Sequence, residues 1–593
     1  MTNDGRFKSQ RASRYAALLC ALTLAAIALC IHPVVEMGMA DDWSYVRTAQ
    51  LFLQTGHIHY NGWAAPMLGW QIYVGAAAMR LFGATFTVAR MTTVAVAMVG
   101  VFLFHRTLVR MGVTLWNATV TTLILATSPI YLALAFSYMT DMYGLVGMVL
   151  ALYCCVRVLQ AGSEAHAIGW VVVATSTNAI AGTARQTAWL GILVLIPVTL
   201  WLMRRWKRLL VVGALADLAA LVFMLVSLRW LSHQVYAVPE PFLPRERNLH
   251  VFVDALMKFL RGLTTLGAFL LPITVSFVAV VWRRRLYRTA TFAGALVLTL
   301  ALAIVVGRSH RLGLWWPPFT KDSVSPYGMR EVVFYVMGAR PMVLGFHARM
   351  LLLALTLAGM VAVLTVVFGS RAEAAATGSE DAAVMRWQTL LWLVLPFLLG
   401  YFALMVPRAT AAPLFDRYMI VPFAFGMMPL VRLYQDLYQD LSQPQGRDRL
   451  SGLTLVALLC VGLWSVAAEH DAFALYRGFV AAADEMMAAG VPRAAINSTW
   501  EFDSWTQILA TGYINSPGVN LPPGQTYVPT SSRAPVASCP AYEFPNDPAV
   551  QPKYGLTFTL EPCMVRSQFA PVVYRTWLAP HVTTLYIVRY PER

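Results

Sequence analysis

Two adjacent carboxylates, Asp41 and Asp42, sit in Met37-Gly-Met-Ala-Asp-Asp-Trp-Ser-Tyr45, just beyond the first apolar segment of the chain. Like charges side by side resist joint ionisation, so such a pair is well solvated, bound to a cation, or tuned for proton transfer. A helix beginning near Trp43 could also use them as N-terminal caps, although capping explains one acid more easily than two. The chemical reading is a general base: one carboxylate takes the proton of an acceptor group, and the other orients it or holds a cation.

A third acid, Asp141 in Phe136-Ser-Tyr-Met-Thr-Asp-Met-Tyr-Gly144, opens another apolar segment, where Thr140 or Asp141 would equally serve as a cap. Arg185 in Gly182-Thr-Ala-Arg-Gln-Thr-Ala188, Arg408, and Arg417 in Leu414-Phe-Asp-Arg-Tyr-Met419 stand at segment boundaries. Such arginines are either snorkelling anchors or guanidinium forks for a lipid-linked phosphate. Asp416 is placed to neutralise or orient Arg417. His57 and His59 would share one face of an extended backbone, but they lack a third firm ligand for a metal. Glu469-His470-Asp471 falls where the last apolar segment ends and reads as a junction rather than a catalytic group.

The elements that must position these residues are membrane spans. Of 593 residues, 58% are hydrophobic and only 12% charged, and the mean hydropathy is +0.60, far outside the soluble globular range. Apolar stretches of about twenty residues, each enough to cross a ~30 Å hydrocarbon layer, recur from Tyr15 to Ala468. The formal charge of +16 is concentrated in short loops, where it reports orientation rather than nucleic-acid binding. Alternating those loops inward gives about thirteen spans: 15–35, 86–104, 114–135, 142–160, 167–184, 188–203, 209–230, 264–282, 289–306, 346–368, 387–406, 418–434 and 452–468. The N-terminus is then cytoplasmic, and residues 469–593 form an external unit after a transmembrane module of residues 1–468. The first external loop, 36–85, carries the diacid and a hydrophobic stretch from Pro66 to Phe82, too short to span and placed along the interface.

External loops 231–263 and 307–345 contain rigid pieces, Pro239 to Arg247 and Trp315-Trp-Pro-Pro-Phe319, suited to covering a site. No phosphate-binding loop of the GxxxxGK[ST] type occurs. In the tail, helical spacing over Ala472 to Gly490 and Trp500 to Ala510, with strand candidates at 555–560, 572–578 and 583–590, predicts a small α+β unit. Five of the seven cysteines lie in apolar segments; Cys539 and Cys563 lie in the tail and could pair in an oxidising compartment.

The pattern resembles the GT-C integral-membrane glycosyltransferases that use polyprenyl-phosphate sugars. That superfamily includes protein O-mannosyltransferases and the lipid A aminoarabinose transferase, and the likeness is strongest to the bacterial RgtA/B/C/D-like branch. The residues that carry it are Asp41-Asp-Trp-Ser-Tyr45, the stretch from Pro66 to Gly83 followed by Arg90, Ser137-Tyr-Met-Thr-Asp141, Arg185-Gln186, Phe415-Asp-Arg-Tyr418 and Ile496 to Trp505. The resemblance implies a polytopic α-helical GT-C fold in the bacterial inner membrane, with a periplasmic C-terminal α+β domain. It implies Asp41 as base, Asp42 as its partner, Asp141 as a further active-site acid, and Arg185 or Arg417 as donor-phosphate contacts. The implied reaction moves a sugar, with inversion, from a polyprenyl-phosphate donor to a hydroxyl of an envelope lipid, polysaccharide or protein. No cofactor is called for, and a divalent cation is compatible. Trp315-Trp316 is followed by Pro317 rather than an acid, which argues against en bloc glycan transfer to asparagine. A transporter or flippase of a lipid-linked envelope precursor is the rival reading, but it calls for charges near the bilayer midplane and internal repeats.

Overall fold

The computed structural model describes residues 3–63, 69–238, 246, 248–311, 317–320, 322–330, 336–369, 385–439, 449–529, 546–562 and 564–590. Four helices open the chain: α1 (Asn3–Ile31), α2 (Asp42–Thr55), α3 (Trp70–Phe82) and α4 (Phe86–Arg110). Next come α5 (Leu115–Ala126), α6 (Pro129–Ala135), α7 (Thr140–Leu159), α8 (Glu164–Ala184), α9 (Ile196–Leu202) and α10 (Lys207–Ser232). The bundle continues with α11 (Leu249–Arg283), α12 (Ala290–Arg311), α13 (Phe346–Gly369), α14 (Trp387–Ala411) and α15 (Ile420–Gln439), and ends with α16 (Gly452–Ala488) and α17 (Trp500–Thr511).

Each of the thirteen expected spans is helical, but they are not equivalent. Among the described residues ten helices are long and apolar enough to cross a membrane. The pair α5 and α6, bent by 60°, makes an eleventh if it is counted as one span. Its break has a local cause: Ser128 accepts from the Tyr131 amide, and Pro129 has no N–H to continue α5. The segment 188–203 is a shorter run of 3-10, π and α turns, Gln186–Leu202, and α15 is not among the ten. The stretch after Pro66 forms α3, 13 residues long. At 1.5 Å per residue it covers roughly 20 Å, short of the hydrocarbon layer.

The boundary expected at residue 468 does not exist as a break. α16 runs unbroken for 37 residues, roughly 55 Å, so one rod carries the last span into the C-terminal unit. Glu469 and Asp471 lie in its middle: Glu469 is buried against Arg330, and Asp471 accepts the amides of Trp577 and Leu578. These partners let the helix continue through a charged triplet.

Among the described residues seven short strands complete the fold. β1 (Val324–Ser325) and β2 (Gly328–Met329) form a hairpin in the loop between α12 and α13. β3 (Ile496–Asn497), β4 (Tyr554–Thr557), β5 (Val565–Arg566), β6 (Val572–Arg575) and β7 (Val582–Arg589) form the C-terminal sheet. Its order is β3-β4-β7-β5 with β6 also on β7; β3 and β4 pair in parallel and the other pairs are antiparallel. With α17 this is the α+β unit that the sequence pattern implies. Pro66, Trp315-Trp316, the piece from Pro239 to Arg245 with Arg247, Cys539 and Cys563 lie outside the described residues.

Candidate functional site

The ends of several helices meet at one end of the bundle, and four of the predicted charges, Asp41, Asp141, Arg185 and Arg417, meet there with them. Asp41 lies between α1 and α2, Asp141 in the first turn of α7, Arg185 at the C-terminal end of α8, and Arg417 in the 3-10 turn Asp416–Met419 between α14 and α15. Arg417 Nη1 lies 2.9 Å from Asp41 Oδ2 and donates a hydrogen bond to it. The other oxygen of Asp41 accepts from the Trp63 indole N–H at 2.9 Å. Asp41 makes no side-chain capping bond to α2. Its carboxylate is 18% exposed, accessible and held on both oxygens.

Arg185 pairs with Asp141 at 3.0 Å, and the Tyr418 ring lies between the two guanidiniums, 5.2 Å from that of Arg185 and 5.9 Å from that of Arg417. Asp141 Oδ2 is buried without a hydrogen-bond partner among the described residues. Gly144, one turn into α7, makes this approach feasible: a Cβ there would lie 2.5 Å from the Arg185 Cβ. Tyr45 is buried among these groups. Burial raises its pKa, the charges of Asp41 and Asp141 raise it further, and Arg185 and Arg417 oppose them.

Sequence reasoning missed Asp322. It lies in the loop between α12 and α13, which has no periodicity, and nothing in its neighbours marks it out. Its Oδ2 lies 3.6 Å from Arg417 Nε, a different nitrogen from the one that donates to Asp41. Its backbone adopts φ 123°, outside the usual range of a non-glycine residue. Burial pushes its pKa up to about 6; Arg417 opposes the rise, while Asp41 and Asp141 add to it. Asp416 supplies the support. It does not neutralise Arg417 but accepts the amides of Ser323 (3.0 Å) and Val324 (2.7 Å), pinning the loop beside its neighbour.

Asp42 belongs to a different layer. It is 1% exposed, with Arg90 of α4 at 3.7 Å and itself wholly buried. Its oxygens accept the amides of Met39 (2.6 Å) and Tyr138 (3.3 Å). Burial raises its pKa, opposed by Arg90 and these amides. Arg90 also donates to the carbonyls of Val35 and Met37, at 3.1 and 3.0 Å, closing the loop that follows α1. Arg330, which like Arg90 lies 5.5 Å from the Phe473 ring centroid, pairs with Glu469 and donates to the carbonyls of Ala133 and Phe136. Two arginines and two acids thus form a second layer, in which no side chain is more than 5% exposed.

The structure does not bring Arg408 into the ion pairs of Asp41, Asp141 or Asp322; it is half-buried in the last turn of α14. His57 and His59 lie in the loop after α2, with His59 Nε2 3.1 Å from Thr55 Oγ1. Among the described residues no group of three His, Cys, Asp or Glu side chains is placed to hold a metal ion.

No protein-family model and no curated protein sequence matches the chain. Solved structures do resemble it. ArnT from Cupriavidus metallidurans bound to undecaprenyl phosphate aligns at 15% identity over 73% of this chain and 84% of that one, with a TM-score of 0.31. The oligosaccharyltransferase AglB from Archaeoglobus fulgidus aligns at 13% identity over 83% and 59%, with a TM-score of 0.39. Arabinosyltransferase EmbB from Mycobacterium smegmatis aligns at 14% identity over 76% and 43%, with a TM-score of 0.29. At these values the superpositions assign no residue a role. The structural neighbours are GT-C glycosyltransferases.

Proposed function

We propose that the chain is an inverting glycosyltransferase that moves a sugar from a polyprenyl-phosphate donor to a hydroxyl acceptor, an envelope lipid, polysaccharide or protein, at the outer face of the inner membrane. The observation that carries this reading is the accessible Asp41 carboxylate held against Arg417, with the Arg185–Asp141 pair beside it at one end of a helical bundle. A sugar on a lipid phosphate cannot leave the bilayer, so its anomeric carbon arrives where spans end.

Displacement requires a proton acceptor for the incoming hydroxyl and stabilisation of the departing phosphate. The acceptor oxygen forms a bond to the anomeric carbon, its proton passes to Asp41, and the carbon–oxygen bond to phosphate breaks with the electron pair leaving on the phosphate. Asp41 becomes neutral as the phosphate gains a negative charge. Arg417 loses one counter-charge and gains another, so the site's net charge is unchanged through the step. Arg185, already cationic beside Tyr418, is the second phosphate contact, and Asp141 the second acid. The two guanidiniums supply the positive charge, and we propose that no metal ion is required; transfer that stops in chelator and returns with a divalent cation would instead put that ion at the acids.

A panel of polyprenyl-phosphate sugars supplied to the purified protein with membrane extracts tests the proposal. Transfer of label from one donor, with product of the opposite anomeric configuration, is expected. Retained configuration would contradict the single displacement, and ATP- or gradient-driven lipid movement without transfer would favour a flippase.

A further inference from the structure

We propose that Glu501, carried by the C-terminal unit, is a positioning residue for Asp41: it holds the turn 38–41 in the shape that presents the Asp41 carboxylate to Arg417. The inference rests on the reading of Asp41 as the base. The turn contains Ala40 at φ 56°, a left-handed conformation disfavoured for a residue with a Cβ. Something outside the turn must hold it.

Two carboxylates do so. The Met39 amide donates to Asp42 Oδ1 at 2.6 Å, and the Ala40 amide donates to Glu501 Oε1 at 3.3 Å. Glu501 is 3% exposed, in the first turn of α17, and its Oε1 also accepts from the Tyr476 hydroxyl of α16 at 2.7 Å. One oxygen thus joins the last long helix, α17 and the turn that carries the base.

A second grip comes from the neighbouring residue. The Trp500 ring packs edge-on against Trp43 and Trp63, at centroid distances of 5.7 and 5.2 Å. The Trp63 indole donates to Asp41 Oδ1. α17 therefore holds Asp41 through its backbone at Ala40 and through its side chain at Trp63. Glu501 and Ala40 are 461 residues apart in sequence, so folding of the C-terminal unit alone does not account for the contact. Glycine at 38 completes the turn: a Cβ there would lie 2.7 Å from the Trp43 Cβ.

Removing the Glu501 acceptor should let Ala40 leave the left-handed region and Asp41 drift from Arg417, while Arg185 and Arg417 stay in place for the donor. The test uses the full-length protein in lipid nanodiscs, with the variants Glu501→Ala and Glu501→Gln. The control is Ser504→Ala on the same helix, whose hydroxyl donates to Asp547 at 2.9 Å. With a polyprenyl-phosphate sugar that the wild type uses, Glu501→Ala should lower kcat on the order of 10- to 100-fold with the donor KM changed less than about twofold. Glu501→Gln, whose carboxamide oxygen accepts the same two bonds, should recover kcat to within about threefold, and Ser504→Ala should retain it. Hydrogen exchange is read in parallel and needs no turnover: peptides covering residues 37–45 should lose protection in Glu501→Ala and keep it in Glu501→Gln. Unchanged kcat and protection in Glu501→Ala, or equal loss in all three variants, would overturn the proposal. A wild type that transfers no sugar, but whose 37–45 protection depends on Glu501 as described, would count against the glycosyltransferase reading and leave the positioning contact standing.

Discussion

Asp41 and Asp42 are neighbours in the chain and opposites in the structure. Asp41 is accessible, bound by Arg417 and an indole N–H, and close to the Arg185–Asp141 pair. Asp42 is sealed, bound by a wholly buried arginine and two amides. A carboxylate that exchanges protons needs access to its substrate, whereas a carboxylate that shapes a loop needs saturated partners and a dry setting. In the proposed reaction the adjacent pair divides the labour: Asp42 and Arg90 hold the loop after α1, and Asp41 and Arg417 meet the substrates.

Breaking the upper layer should cost activity and leave the fold intact. Arg417→Met should reduce kcat by about 10²–10³-fold, the scale seen when one charge-stabilising donor is lost, measured as sugar transfer at saturating donor. The thermal midpoint should fall less than in a lower-layer variant, since the acids left behind, Asp41 and Asp322, are 18% and 20% exposed and can be solvated. Breaking the lower layer should do the reverse. Asp42→Asn leaves Arg90 buried without its counter-charge and should destabilise by about 3–5 kcal/mol. The double variant Asp42→Asn with Arg90→Met should recover a large part of that loss in a thermal melt in detergent. A double variant no more stable than the single one would mean that the ion pair is not the lower layer's organising contact.

Two smaller effects sharpen the boundary between the layers. Gly144→Ala places a Cβ against Arg185, so donor use should weaken by roughly tenfold, through the small displacement of the proposed phosphate contact. Asp322→Asn tests the second acid at Arg417. With its pKa raised to about 6, Asp322 binds more protons in the folded state than in the unfolded one between about pH 4 and 6. Its contribution favours folding at low pH and is lost as pH rises through 6. The difference in thermal midpoint, Asn variant minus wild type, should therefore become more positive from pH 5 to pH 7.5; a flat difference would show that Asp322 does not titrate there.

The spans were legible because hydropathy and basic loops report them directly, and the arginines at span ends could be read as phosphate contacts for the same reason. Arg185 and Arg417 do join Asp41 and Asp141 in one cluster, while Arg408 does not, because a boundary position in sequence fixes depth but not the direction around the helix axis. The burial of Asp42 was illegible because its partner, Arg90, comes from another helix. Asp322 had no signal at all, since its place depends on Asp416 pinning a loop that has no hydrophobic period. The unbroken α16 was hidden by Glu469-His470-Asp471, which reads as an end until Arg330 and the Trp577 and Leu578 amides are seen to satisfy its charges.

The most direct measurement compares Asp41→Asn with Asp42→Asn in the same purified preparation, reading initial transfer rate from a polyprenyl-phosphate sugar together with the thermal midpoint. Asp41→Asn should lose about 10²–10⁴-fold in rate with its midpoint near wild type, while Asp42→Asn should lose its midpoint first. An Asp41→Asn protein that transfers sugar at the wild-type rate would contradict the assignment of Asp41 as the base.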